Sequence, residues 1–330
     1  MRVFLTGGTG FLGRGMAAKL AAAGHEVRAL VRPGPVRREI ASGVVTVEGD
    51  VLDPDSLARG ASGCDAILHC AALVKMWVPD RSAFDRVNVG GLRNILEAAK
   101  RVGVGRILYT SSFIALGPTD GSVADESWVR PPGGHLNDYE RTKVEADRLA
   151  RSEAGRGAPL ITVYPGVVYG PGELTDGSLM TRTIGDFLER RIPGYLGTGR
   201  QRVCLAFMED VLAGHLMALE RGLPGRGYIL GGVNTSYREL FARLETLTGI
   251  PAPRRHIPFW LMGLVGRGLR WRAEMTGRQP LITDEVVRIY KHDWAYSSER
   301  AVAELGYRIT PLEEGLRRTV EWLKPARGHD

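Results

Sequence analysis

The sequence predicts an α/β fold, a doubly wound parallel sheet with a smaller, mostly helical C-terminal lobe. Short apolar runs alternate with helical patterns through the first half, as in a parallel sheet covered on both faces. The chain also opens on a strand–glycine turn–helix–strand unit of ~30 residues. Beyond residue 170 the alternation loosens. Residues 1–170 and 171–330 are therefore expected as two regions, with some later segments returning to the first.

Val3, Phe4 and Leu5 form the first strand, and Thr6-Gly7-Gly8-Thr9-Gly10-Phe11-Leu12-Gly13 the turn. A helix rich in Ala and Leu follows over 11–23, Gly24 stands where a C-cap tolerates positive φ, and His25 to Val31 is the second strand. Gly7 permits the tight turn, Gly10 lets the backbone approach a pyrophosphate, and Gly13 lets the helix sit close on the sheet. The helix N-terminus offers unpaired N–H groups and a partial positive charge to the phosphates. Glycine-rich turns also serve structure alone. This one follows a strand and opens a helix, so Gly7, Thr9, Gly10, Phe11, Leu12 and Gly13 are read as cofactor-binding residues of a Rossmann unit. The second strand ends Leu30-Val31-Arg32, with Arg37 and Arg38 close behind and no carboxylate to hold the ribose 2′-hydroxyl of NAD. Arg32 suits a 2′-phosphate, so NADP(H) is expected ahead of NAD(H). The plainer reading is that this chain uses arginine everywhere.

Val44 to Val47 leads into Gly49-Asp50-Val51, a strand ending in a carboxylate. Asp50 either accepts a hydrogen bond from an adenine amino group or caps the segment that follows. Ala66 to Ala72 is the next strand, and its small C-terminal residues suit close approach to a ligand. Over 84–100, Phe84, Val87, Leu92, Ile95, Leu96 and Ala99 form a helical stripe with Asn88 near it, where a buried Asn ordinarily satisfies a neighbouring backbone group. Arg106 to Ser112 is a strand with two hydroxyls at its end, residues 137–153 a polar-faced helix, and Leu160 to Tyr164 a further strand. Later, Asp210 to Gly222 reads as a helix and Tyr228 to Leu230 as a strand. Ser236 with Glu239 reads as a capping box for a helix carrying Leu240, Leu244 and Leu247, and Thr310-Pro311 with Glu313 as the cap of the last helix. The apolar run Pro258 to Leu269 is too short for a bilayer span, which needs ~20 residues. It is expected as a core or dimer-face helix, with a membrane-surface helix as the lesser alternative.

Hydrophobic content of 44% and charged content of 25% are those of an ordinary globular protein. The formal charge of +7 favours anionic ligands, but the chain has no long basic run or basic-aromatic repeat, which argues against nucleic acid as a partner. Cys64, Cys70 and Cys204 read as small core fillers rather than metal ligands or a disulfide, which suits a reducing compartment. Strand residues from position 2, without a charged leader and cleavage site, predict a cytoplasmic protein.

Tyr139 and Lys143 stand at i and i+4, on a helical stripe that continues to Ala146 and Ala150 and is expected to face the sheet. Glu140, Arg141, Glu145, Asp147, Arg148 and Arg151 mostly occupy other faces. Lys143 either snorkels to solvent or lies buried with partners. In the second case its ammonium favours the phenolate, and Tyr139 can give a proton to a carbonyl oxygen or take one from an alcohol. Ser112, at the mouth of the neighbouring strand, is in place to hydrogen-bond the same oxygen, or simply ends the strand.

In combination, Thr6 to Gly13, His69-Cys70-Ala71-Ala72, Val87-Asn88-Val89, Thr110-Ser111-Ser112, Tyr139 to Lys143 and Tyr164-Pro165-Gly166 resemble the extended short-chain dehydrogenases/reductases of the NAD-dependent epimerase/dehydratase superfamily. Within it the chain looks most like the dihydroflavonol 4-reductase group. Asp53 to Leu57, Gly214 to Glu220 and Tyr228 to Gly232 are also similar to bacterial hopanoid-associated sugar-epimerase-like proteins. The resemblance implies that Tyr139 is the acid/base, that Lys143 lowers its pKa and holds the nicotinamide ribose, and that Ser112 orients the carbonyl, with Ser111 as the fallback. It further implies Arg32 at the 2′-phosphate, Asp50 and Val51 along the adenine, Ala71 and Ala72 along the diphosphate and ribose, and Pro165 beside the nicotinamide. Asn88 and Val168 complete the cofactor set.

Two departures stand out. Ser111-Ser112-Phe113 replaces the Thr-Asp-Glu of nucleotide-sugar dehydratases, and Val203 stands where sugar-nucleotide epimerases carry arginine, with Arg200 and Arg202 nearby as substitutes. The expectation is therefore an NADPH-dependent reductase of a ketone or aldehyde. A sugar epimerase with retained cofactor and a non-catalytic NADP-binding sensor are the rivals, and a homodimer is the family expectation. Leu73, Trp77, Phe113, His135, Val167 and Tyr169, in loops at the carboxyl ends of strands, suggest an apolar, aromatic or polycyclic substrate.

Overall fold

The computed structural model describes residues 1–34, 40–175 and 177–324, so Arg37 and Arg38 lie outside the described residues. In chain order the elements begin β1 (Arg2–Thr6), α1 (Phe11–Ala22), β2 (Glu26–Val31), β3 (Val44–Glu48), α2 (Pro54–Ala61), β4 (Ala66–His69), α3 (Ser82–Phe84), α4 (Gly91–Val102), β5 (Ile107–Thr110), α5 (Asp138–Gly155) and β6 (Leu160–Pro165). There follow β7 (Val167–Tyr169), α6 (Leu179–Leu188), β8 (Tyr195–Leu196), β9 (Arg202–Phe207), α7 (Met208–Arg221), β10 (Gly227–Leu230), β11 (Val233–Ser236) and α8 (Tyr237–Thr248). The chain ends with β12 (His256–Ile257), α9 (Phe259–Thr276), α10 (Asp284–Ile289), α11 (Glu299–Leu305) and α12 (Leu312–Leu323).

A seven-stranded parallel sheet in the order β10-β6-β5-β4-β1-β2-β3 forms the centre. Alternation along its strands feeds two cores, because successive side chains point to opposite faces. On β1, Val3 and Leu5 join one core while Phe4 joins the other, and on β4 Ala66 and Leu68 part from Ile67 in the same way. The first core is closed by Met16, Ala17 and Leu20 of α1, Ala218 and Leu219 of α7, and Ala301 and Leu305 of α11. The second is closed by Leu57 and Ala61 of α2, Leu92 and Ile95 of α4, and Ala146 and Ala150 of α5. Strand β10, α7 and α11, although late in the chain, belong to this sheet and its first core. A smaller sheet, β11-β9-β7, packs with α6, α8 and α12 around Tyr169, Phe187, Phe207, Phe241 and Leu316.

Local expectations fared unevenly. The Ser236/Glu239 capping box is present, and Leu240 and Leu244 are buried while Leu247 is exposed. The stripe over 84–100 is interrupted: Asp85–Gly90 winds as a wider π-helical segment between α3 and α4. Thr310 does not cap α12. Its hydroxyl donates to Asp210 Oδ1 at 2.8 Å and its backbone N–H to Asp210 Oδ2 at 2.7 Å, so it ties the last helix to α7 instead. Glu140 and Asp147, expected off the inward stripe, are buried because polar partners from outside α5 reach each of them. Arg130 and the Leu136 N–H bind Glu140, and the Tyr164 hydroxyl and Arg151 bind Asp147. Pro258 to Leu269 is not a core segment either, since Trp260, Leu261, Leu264 and Val265 are all exposed. No described helix is long and apolar enough to cross a membrane.

Candidate active site

In this strand order the chain reverses between β1 and β4, where an open α/β sheet leaves a crevice at its carboxyl edge. Thr6 and His69 are paired there in register. The Thr6 hydroxyl lies 2.7 Å from His69 Nδ1 and accepts from the Ala71 N–H at 3.3 Å, tying the two strand ends together. Burial, with Lys143 adding to it, pushes His69 down to about 3, so the ring is neutral.

The glycine turn leaves β1 into that crevice. Gly7 has φ +76°, and a Cβ there would meet the Ala71 backbone nitrogen at 2.7 Å. A Cβ on Gly13 would stand 2.0 Å from the Gly7 carbonyl oxygen. The N-terminus of α1 carries no side-chain cap and no acidic residue in its first turn. These features fit a dinucleotide: the turn holds helix and strands in close backbone contact, and the helix N-terminus is free of competing acceptors. Arg32, the first residue after β2, is exposed. Asp50 Oδ1 accepts from the Leu52 N–H at 2.9 Å, the capping role, and leaves its second carboxylate oxygen for other partners. Val51 is buried, Ala71 and Ala72 are half-buried, and Asn88 holds the following loop by accepting from the Leu73 N–H at 2.7 Å and donating to Thr142 at 3.0 Å. We expect Gly13→Ala to lower stability by about 1–3 kcal/mol through overpacking and to abolish the thermal shift given by NADPH. An unchanged shift would show that the turn does not hold the nucleotide.

Helix α5 is set by Asn137, which caps it by accepting from the Glu140 N–H at 2.7 Å. Arg141 clamps it to Asp85 through two bonds of 2.6 and 2.7 Å. Arg81 bridges Asp138 at 2.5 Å and Glu285 of α10 at 3.1 Å. Tyr139 is thereby presented to the end of β5. Burial pushes its phenol up to about 12, with a hydrogen bond from Ser112 pulling the other way. Lys143 is 3% exposed and does not snorkel. Its Nζ donates to the Thr110 carbonyl at 3.1 Å and lies 5.4 Å from the centre of the Tyr109 ring. Burial pushes it down to about 8, against the opposing influence of Cys70 and Asp147. Ser112 faces Tyr139, whereas Ser111 is buried on the Tyr109 side.

Sequence reasoning missed the support beneath Lys143. His215 Nδ1 donates to the Val211 carbonyl at 2.7 Å, so Nε2 accepts from the Thr110 hydroxyl at 3.2 Å, which accepts in turn from the Cys70 thiol at 3.2 Å. Burial holds His215 down at about 4, in the neutral form this chain of bonds needs. Its sequence signals are its place between Val211 and Ala218 on the inward stripe of α7 and its position within the stretch Gly214 to Glu220. Cys64 and Cys204 are buried core fillers as expected, while Cys70 belongs to this polar set.

Beside Tyr139 stands an apolar wall. Tyr139, Phe113, Trp128, Leu136 and Ile289 pack on a cluster that includes Trp294 and Tyr296, and Phe113 meets the Trp294 ring edge-on at 5.6 Å. Trp128, Leu136, Ile289 and Trp294 come from loops and from α10, and sequence pattern did not single them out. Of the other expected substrate residues, Leu73 and Val167 are half-buried, Trp77 is buried and His135 is exposed. Tyr169 is a correction: it is 1% exposed in the core of the smaller sheet, 5.7 Å from the Phe207 ring, and leaves the substrate list. Pro165 ends β6 fully buried, and Val168 is half-buried.

A glycine cradle at a topological switch point is the mark of a dinucleotide-binding fold. The chain belongs to the NAD dependent epimerase/dehydratase family, whose model matches residues 3–231. Among curated proteins, the "Putative dihydroflavonol 4-reductase" of Synechocystis sp. is 35% identical, covering 97% of this chain and 94% of its own length. "Sterol demethylase protein B" of Methylococcus capsulatus is 32% identical over 98% of each chain. A 2-alkyl-3-oxoalkanoate reductase of Stenotrophomonas maltophilia is 29% identical over 96% and 98%. Of solved structures, gox2253 superposes with a TM-score of 0.83 at 31% identity, covering 99% of this chain and 98% of its own. The UDP-glucuronic acid 4-epimerase of Bacillus cereus in complex with NAD, at 20% identity and a TM-score of 0.76 over 99% of each chain, shares the fold. The family and the dihydroflavonol reductase likeness read from the sequence are thus both found.

Proposed function

We propose that this protein is an NADPH-dependent reductase of a ketone or aldehyde carried on an apolar, aromatic or polycyclic substrate, working reversibly as an alcohol dehydrogenase. The observation that carries the reading is the placement of Tyr139 facing Ser112, with Lys143 buried behind it on Thr110 and an apolar wall beside it. The bound dinucleotide supplies hydride. Tyr139 gives its proton to the carbonyl oxygen, Ser112 hydrogen-bonds that same oxygen, and Lys143 holds the nicotinamide ribose. The turn Gly7–Gly13 and the α1 N-terminus would hold the diphosphate, together with Ala71 and Ala72. Asp50 and Val51 would hold the adenine, Arg32 the 2′-phosphate, and Pro165 and Val168 the nicotinamide. Residues 171–330 would supply most of the substrate lobe.

Reductase names among the relatives support this reading, and the sterol in one of them supports an apolar substrate. Arg202 argues against the sugar-nucleotide alternative. It donates to the Asp293 carboxylate through its backbone N–H at 2.8 Å and its Nε at 3.2 Å, and to the Ser122 carbonyl at 2.9 Å, so it is committed within the protein. The test is loss of NADPH absorbance against a panel of aromatic, steroid-like and aliphatic carbonyls. Turnover of one member supports the reductase. If none is reduced and denaturation releases a tightly held nucleotide, an epimerase with retained cofactor replaces it.

Arg32→Ala is expected to raise KM for NADPH roughly tenfold to a hundredfold, as for a lost charge-assisted contact, and to leave KM for NADH unchanged. Equal effects on both cofactors would remove Arg32 from the 2′-phosphate.

A further inference from the structure

Helix α9 is packed with its small residues inward and its large apolar residues outward. Gly266 and Ala273 are its buried residues, and a Cβ on Gly266 would stand 2.5 Å from the Asp284 backbone nitrogen, so this face lies tight against α10. Trp260 is 68% exposed, Leu264 57%, Trp271 64% and Met275 68%. A helix stabilised by burial alone would be turned the other way. At about 100° per residue these four fall within one arc of about 60°. Leu261 and Val265 widen the stripe on one side, with Arg272 between them in projection, and Arg267 borders it on the other. Leu281, just beyond the helix, is 92% exposed.

Charge singles out what this face suits. The exposed charges between residues 254 and 281 are Arg254, Arg255, Arg267, Arg272 and Arg278 against Glu274 alone. The chain as a whole is nearly balanced, with 44 basic and 37 acidic residues. An apolar stripe that carries two tryptophans and is bordered by arginine has the composition of a helix lying in a membrane interface, its rings among the acyl chains and its guanidinium groups among anionic headgroups. A second copy of this chain would bring the same five arginines against themselves across a two-fold axis.

We propose that α9 docks the protein on an anionic lipid surface. The docked helix is wired to the catalytic helix: Arg270 of α9 pairs with Glu285 at 3.2 Å, and Arg81 joins Glu285 to Asp138, the residue before Tyr139. The surface itself does not depend on the reductase reading.

The test is co-sedimentation of the full chain with phosphatidylglycerol-containing vesicles and with pure phosphatidylcholine vesicles, with light scattering of the free protein for its mass. Binding to the anionic vesicles with weak binding to the zwitterionic ones is expected. Trp260→Ser with Trp271→Ser should lower the anionic partition coefficient by roughly a hundredfold. Arg267→Gln with Arg272→Gln should lower it roughly thirtyfold and leave the zwitterionic value nearly unchanged. Should the tryptophan pair unfold, the arginine pair, which touches no core, decides alone. Failure to sediment with anionic vesicles overturns the proposal. So does a dimer that the tryptophan variant splits, which would assign the face to self-association.

Discussion

Tyr139→Phe is expected to lower kcat/KM for carbonyl reduction by about a thousandfold, within the range a positioned general acid contributes. The fold should be untouched, because the ring that packs beside Phe113, Trp128 and Leu136 is kept and only the hydroxyl goes. NADPH binding should also survive, since the dinucleotide is gripped chiefly by the glycine turn and the α1 N-terminus. The loss should fall on kcat, as for an interaction made in the transition state. Burial pushes this phenol up to about 12, so the proton is present at neutral pH, while the transfer itself relies on placement against the carbonyl oxygen. The reverse reaction, which needs the phenolate, should be slow at neutral pH and quicken as pH rises. A variant within threefold of the parent would remove Tyr139 from the acid role and leave Ser112 or solvent to protonate the oxygen.

Local chemistry was legible in the sequence where a single segment carries it. The glycine turn, the inward stripe Tyr139–Lys143–Ala146–Ala150 and the Ser236 capping box all depend on neighbours within a turn or two, and all are found. What was not legible depends on partners far along the chain. Thr310 has the composition of a cap, but Asp210 takes both its donors across a separation of 100 residues. Glu140 and Asp147 read as surface charges until Arg130 and Tyr164 arrive to bind them. His215 is an unremarked helical residue until Thr110 meets it.

Apolar runs were the other source of error. Tyr169 reads like a loop aromatic, and the topology buries it, because β7 is the edge of a second sheet rather than a loop over the first. Pro258 to Leu269 reads like a core or dimer-face helix, and Gly266 decides which side is buried: it permits the close contact with α10 that leaves the tryptophans outside. Hydrophobicity alone does not say which side of a helix is free. Periodicity combined with residue size does, and here it pointed outward.

The same long-range packing sets the second large effect. Lys143→Met should cut reduction by about a thousandfold, by removing the ammonium beneath the site, and yet raise the stability of the folded chain at pH 7. The ordinary value for a lysine is 10.5, and burial lowers this one to about 8. The unfolded chain therefore binds this proton more tightly than the folded chain does. Below about pH 8 both hold it and the full penalty applies. Between 8 and 10.5 the unfolded chain holds more of the proton, so stability rises with pH, and above 10.5 the penalty is gone. The displacement corresponds to about 3 kcal/mol, offset in part by the hydrogen bond to the Thr110 carbonyl. Urea unfolding of parent and variant should thus diverge most at pH 7 and converge only above about pH 10.5. A difference that stays constant across that range would mean that Lys143 is not charged in the folded protein at neutral pH. For activity the same titration runs the other way: reduction should decline above about pH 8 as the ammonium is lost. Stability and catalysis at this residue then oppose each other over one pH window, as expected for a charge retained in a core for its chemistry.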